Sequence, residues 1–224
     1  MKIFLSINRF LFFIIGVSMI LTLNAQTYLE REDAWVNAKI SNMTLDQKIG
    51  QLFMVRAYSR GNVAEDNLMI NYINKYHIGG LCFFQGSPDV QAVLVNKFQR
   101  VSKTPLFMGL DAEWGLGMRF PDKTISFPKQ MMLGAVHDNR LIYDMGREVA
   151  RQCKAVGINI NFAPVVDINS NAKNPVIFDR SFGEDPFHVT SKGYMYIKGM
   201  EEEGILACVK HFPGHGDTHV DSHH

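Results

Sequence analysis

Short apolar runs alternate with helically patterned segments along most of this chain. Ile49–Val55 passes from a helix into a first strand, Gly80–Phe84 is a second, Leu106–Leu110 a third, Ile158–Phe162 a fourth and Ile205–Val209 a fifth. Between them lie helical stretches over Glu65–Tyr76, Val90–Val101, Asn139–Val156 and Val189–Gly204. Strands separated by helices of this length are βαβ units, so the sequence predicts an α/β fold with a parallel sheet. Leu141, Met145, Val149 and Cys153 recur at every fourth residue and form one apolar stripe, as do Val90, Leu94 and Phe98. In the stretch Glu65–Tyr76, Leu68, Ile70, Tyr72 and Ile73 are available for packing. Thr44-Leu-Asp-Gln47 fits a capping box, Asp185 fits a helix cap, and Gly204 fits a helix stop.

Polar residues collect just after the strands: Asp111-Ala-Glu-Trp-Gly115 after the third, Ala163-Pro-Val-Val-Asp167 after the fourth, and Lys210 onward after the fifth. In parallel α/β folds the carboxyl ends of the strands converge on the working face, which points to an enzyme. No Gly-x-Gly-x-x-Gly follows the first strand and no phosphate loop is present, so no nucleotide cofactor is expected. Lys and Arg number 23 against 22 Asp and Glu, a balance that gives no electrostatic case for a nucleic-acid partner. Cys82, Cys153 and Cys208 do not make a disulfide framework; Cys82 and Cys208 read as buried strand positions, with a single bridge between them left open.

Residues 1–25 read as a secretory signal. Lys2 and Arg9 precede an uncharged run from Phe10 to Leu23, followed by Asn24-Ala25. That run is short for a membrane span, which takes about 20 residues, so no stable span is expected after cleavage and the protein is expected outside the cytoplasm. Residues 26–224 then read as one α/β segment, with no linker to mark a second domain.

The chemistry concentrates in Lys210–His224, which holds five of the eight histidines. His211, His215, His219 and His223 are spaced by four, as on a metal-binding helix face, but Pro213, Gly214 and Gly216 argue for a loop and no metal is expected. Asp221 and His223 are two apart, and a carboxylate that close fixes an imidazole's tautomer for general acid/base work. Asp111, Arg180, Lys210 and His211 offer the mixture of acceptors and charged donors that sugar hydroxyls require. Trp114 could stack on a sugar face or serve the structure.

Thr44–Leu52, Gly109–Gly115, Asn161–Asn169 with Asp179–Pro186, and Lys210–His223 together resemble the N-terminal barrel domain of glycoside hydrolase family 3. The resemblance implies a (β/α)8 TIM-type barrel. Pro213-Gly-His-Gly-Asp217 with Asp221-Ser-His223 is similar to the β-N-acetylglucosaminidase branch. By that likeness His223 is the acid/base, Asp221 its orienting partner, and Asp111, Arg180, Lys210 and His211 hold the sugar before the scissile bond. Asp167 takes a loop-ordering role. The implied reaction is retaining hydrolysis of terminal β-linked N-acetylglucosamine, with a cell-wall fragment or other small oligosaccharide as substrate. β-Glucosidase or phosphorylase activity on the same scaffold is the alternative within the family, and a carbohydrate-binding module without catalysis is the alternative of another class. The family's nucleophilic Asp follows a later strand. With five strands of the eight and an end at His224, the sequence is expected to be an N-terminal part, inactive and poorly soluble alone.

Overall fold

The computed structural model describes residues 32–221. Residues 1–25, expected to be a secretory signal, and His223 lie outside the described residues. Two compact units divide at Lys48 and Ile49. In the first, residues 32–41 are helical. Thr44 and Gln47 then bond reciprocally, Thr44 N–H to Gln47 Oε1 at 3.0 Å and Gln47 N–H to Thr44 Oγ1 at 3.2 Å. This is the capping box, and it opens α1 (Leu45–Gly50) at the junction.

The second unit runs β1 (Met54–Ser59), α2 (Val63–Tyr76), β2 (Gly80–Gly86), α3 (Pro88–Val101), β3 (Phe107–Leu110), α4 (Gln130–Gly134), α5 (Asn139–Ala155), β4 (Ile160–Asn161), α6 (Pro186–Glu202) and β5 (Leu206–Ala207). All four strand pairings are parallel, in the order β1-β2-β3-β4-β5. A doubly wound sheet reverses its strand order at a switch point. This sheet never reverses, so it is singly wound: five strands of an incomplete TIM-type barrel. No helix among the described residues is long and apolar enough to cross a membrane.

Period-two alternation sets the core. Leu81, Phe83, Met108 and Leu110 are fully buried and cluster with Ile73, Leu94, Phe98, Val149, Cys153 and Met200. The helices α5 and α6 approach closely because glycines meet backbone. A Cβ on Gly146 would lie 2.4 Å from Tyr196 O, and one on Gly199 would lie 2.2 Å from Tyr143 O. Asp185 caps α6 by accepting from His188 N–H at 2.7 Å, and Gly204, at φ +80°, follows its end.

Four expectations need correction. Leu141 is exposed and Ile142 is buried instead. Steps of four residues advance about 40° beyond a full turn, so a line drawn back from Cys153 leaves the core face within three steps. The α5 face follows Ile142, Met145, Gly146, Val149, Ala150 and Cys153. Leu68 is likewise exposed, with Met69 taking the core position. Cys208 is exposed, and all three cysteines are free. The strand β1 also starts later than the run Ile49–Val55 suggests and continues through Arg56 to Ser59.

Candidate active site

Tyr196, Asn161 and Gln130 fix the chain beyond β3. The buried Tyr196 hydroxyl donates to Ala112 O at 3.0 Å and Glu113 O at 3.2 Å. Asn161 Oδ1 accepts from Ala112 N–H at 2.9 Å, and Gln130 Nε2 donates to Glu113 O at 3.1 Å. With the main chain held there, Asp111 and Glu113 are presented to cations from two other loops.

The result is a continuous ionic chain. Arg119 pairs with the Asp111 carboxylate and donates from Nε to Asp111 O at 3.1 Å, while its guanidinium lies 4.6 Å from the Phe84 ring centroid. Lys210 Nζ sits 2.7 Å from Asp111 Oδ1 and 2.7 Å from Glu113 Oε1. Arg180 grips Glu113 with two bonds, Nε to Oε2 at 3.0 Å and NH2 to Oε1 at 2.8 Å. Its NH1 donates to Val176 O at 3.2 Å. Burial disfavours the charged form of Glu113, but Arg180 and Lys210 outweigh that and hold its carboxyl below the ordinary range. Cys82, on β2, is pushed up to about 11 by burial and then by the Asp111 charge. It is therefore a thiol at neutral pH and no ready nucleophile.

The fifth strand leads into a loop stitched to the one after β4. The fully buried Asp167 carboxylate accepts from His211 N–H at 3.1 Å and His215 N–H at 2.6 Å, and its Oδ2 lies 2.6 Å from His211 Nδ1. Asp167 is an acceptor, so the His211 proton sits on Nδ1 and leaves Nε2 for another partner. Asn174 Nδ2 donates to His215 O at 2.5 Å, and Asn171 Nδ2 to Thr218 O at 3.0 Å. The two loops touch at Gly216, where a Cβ would lie 1.8 Å from Ile168 O. The peptide bonds Ala163–Pro164, Lys210–His211 and Phe212–Pro213 are cis.

Asp111, Lys210 and Arg180 thus belong to one cluster, and His211 adjoins Lys210 in the chain. Each keeps bonding capacity. Lys210 has three protons for two carboxylates, Arg180 has five N–H groups for three acceptors, and each Asp111 oxygen keeps a lone pair. Such leftover donors and acceptors, set in fixed positions, suit a polyol. Asp221 is half-buried at the end of the described residues, and the expected pairing with His223 lies outside them. His211, His215 and His219 lie in irregular chain rather than on a helix. Among the described residues no group of three or more His, Cys, Asp or Glu is arranged to hold a metal. Trp114 is half-buried with Lys129 Nζ 5.3 Å from its ring centroid, and Lys129 pairs with Asp179 at 2.6 Å.

Sequence reasoning missed Glu113 and Arg119. A charge count could have found Glu113, since Arg180 and Lys210 in one buried cluster need more negative charge than Asp111 alone supplies. Nothing local marks Arg119, which reaches Asp111 from beyond a 3₁₀ turn at Leu116–Met118.

Known proteins resemble this chain in sequence and fold. The chain is 40% identical over 163 residues to beta-hexosaminidase A of Pseudoalteromonas piscicida, a match covering 67% of this chain and 27% of that protein. It is 30% identical over 191 residues to the beta-N-acetylglucosaminidase/beta-glucosidase of Cellulomonas fimi, covering 85% and 33% respectively. It therefore spans about a quarter to a third of the length of these curated relatives. Among solved structures, a family 3 β-N-acetylglucosaminidase from Paenibacillus sp. FPU-7 superposes with a TM-score of 0.74 at 36% identity, over 81% of this chain and 35% of that one. A beta-glucoside phosphorylase, BglX, superposes at 0.77 with 24% identity over 85% of this chain and 34% of its own, a likeness of fold. Residues 44–224 match the glycosyl hydrolase family 3 N terminal domain, and the chain belongs to that family.

Proposed function

We propose that the protein to which this barrel segment belongs removes terminal, non-reducing β-linked N-acetylglucosamine from small oligosaccharides or cell-wall fragments. The reading is carried by the convergence of Asp111, Arg180 and Lys210, with His211 next in the chain, from the segments that follow β3, β4 and β5. The names of the relatives favour N-acetylglucosamine as the sugar.

Asp111 accepts from sugar hydroxyls, Lys210 and Arg180 donate to them, and His211 offers Nε2. His223, oriented by Asp221, protonates the glycosidic oxygen as the bond to the anomeric carbon breaks. An Asp carried beyond the acid/base loop attacks that carbon and forms a glycosyl-enzyme. His223 then takes a proton from water, whose oxygen displaces the Asp with net retention. These steps use side chains alone and call on no cofactor. The signal-like pattern of residues 1–25 supports a reaction outside the cytoplasm.

The second reading is β-glucosidase activity, favoured by the double name of the Cellulomonas relative. A panel of nitrophenyl sugars on the full-length protein separates the two. The proposal expects kcat/KM for the β-N-acetylglucosaminide to exceed that for the β-glucoside at least about tenfold, since a site built around a polar substituent discriminates strongly. A preference for the glucoside would establish the second reading.

A further inference from the structure

Of the five linked side chains, Glu113 alone is wholly enclosed. Its exposure is 0%, against 19% for Asp111, 20% for Arg180, 15% for Lys210 and 8% for Arg119. It cannot meet a sugar. Both oxygens are occupied, Oε1 by Lys210 and Arg180 and Oε2 by Arg180. A carboxylate so held is no proton donor, because an acid catalyst needs its proton at working pH. Nor is it a nucleophile, because its lone pairs face cations and not the open face.

What remains is geometry. Lys and Arg side chains both carry large rotamer entropy, which is lost when they are held in one geometry. A neutral sugar brings no countercharge to hold them, so they must be ordered before it arrives. Asp111 anchors Lys210 from one side, but Arg180 has Glu113 and otherwise the Val176 carbonyl. Glu113 is itself fixed from behind, where Gln130 and Tyr196 bond its main-chain oxygen. We propose that Glu113 is a positioning residue: it transmits the rigidity of the core to Arg180 and Lys210, and sugar affinity in the subsite before the scissile bond depends on it through those two side chains. This rests on reading the cluster as the sugar grip, but not on which sugar it grips.

The test is a double-mutant cycle in the full-length protein with Glu113→Gln, Arg180→Ala and both together. It uses whichever aryl β-glycoside the wild type turns over fastest, so a wrong sugar assignment changes the substrate and not the comparison. Calorimetric binding of N-acetylglucosamine and of glucose gives the same comparison without turnover. Glu113→Gln is expected to weaken binding, as KM or as monosaccharide affinity, ten- to a hundredfold, with kcat changed less than about fivefold. The double variant is expected to lose clearly less than the product of the two single losses, because Glu113 acts in part through Arg180 and only its share through Lys210 remains to be lost. A merely structural role would lower the folded fraction, and hence kcat, at unchanged KM. Binding within twofold of wild type in Glu113→Gln, or losses that multiply in the double variant, would overturn the proposal. Should Glu113→Gln not fold, Glu113→Asp keeps the charge and withdraws it by one methylene, and the same outcomes decide.

Discussion

At Glu113 two opposing effects meet. Burial of a carboxylate costs several kcal/mol, and the bidentate Arg180 pair with Lys210 offsets it. The balance favours the charged form, so the folded-state pKa lies below the ordinary 4.5. A depressed carboxylate contributes stability that is fully present above its unfolded value and is lost as pH falls through the folded value. The melting-temperature gap between wild type and Glu113→Gln is therefore expected to be constant from pH 7 to about 5 and to narrow below 4.5, followed by calorimetry in a pH series. A gap that widens on acidification would reverse the sign of the argument. At this scale the sequence showed the exposed ends of the site and hid its support. Asp111, Lys210 and His211 stand out as polar residues at strand ends, and Arg180 lies in the segment between β4 and α6. Glu113 and Arg119 matter through partners that lie 67 and 8 residues away along the chain, a separation no local pattern encodes.

The elements were legible where burial follows a period and less so where it drifts. The segment α3 kept its stripe at Leu94 and Phe98, and α6 buried Val189, Tyr196 and Met200 as its spacing predicts. The segment α5 did not keep Leu141, because a fourth-residue line winds off a helix face. The strands β4 and β5 are shorter than their apolar runs, since the chain leaves the ladder for the site loops near Pro164 and Cys208. Helix contact at Gly146 and Gly199 was invisible in a pattern built on large apolar residues. Replacing Gly199 by Ala forces a methyl onto Tyr143 O, where the contact is backbone and cannot rotate away. A loss of roughly 1–3 kcal/mol is expected, read as a lower urea midpoint at unchanged slope in the full-length protein. An unchanged midpoint would mean that α5 and α6 do not pack as described.

Across the whole molecule, five parallel strands in unbroken order place three loops on one face, and those loops carry Asp111, Arg180, Lys210 and His211, the proposed sugar grip. The core reaches that grip through Tyr196, Asn161 and Gln130, so fold and site are one connected structure and not a scaffold with an attachment. Asp111 is the pivotal acceptor, shared by Lys210 and Arg119 and still able to accept from a hydroxyl. The most direct trial is kcat/KM of the full-length wild type and its Asp111→Ala variant on an aryl β-N-acetylglucosaminide. The account predicts turnover by the wild type and a loss of at least about a hundredfold in the variant, the scale of one or two charge-assisted hydrogen bonds made to the reacting sugar. Equal kcat/KM in the two proteins would contradict it.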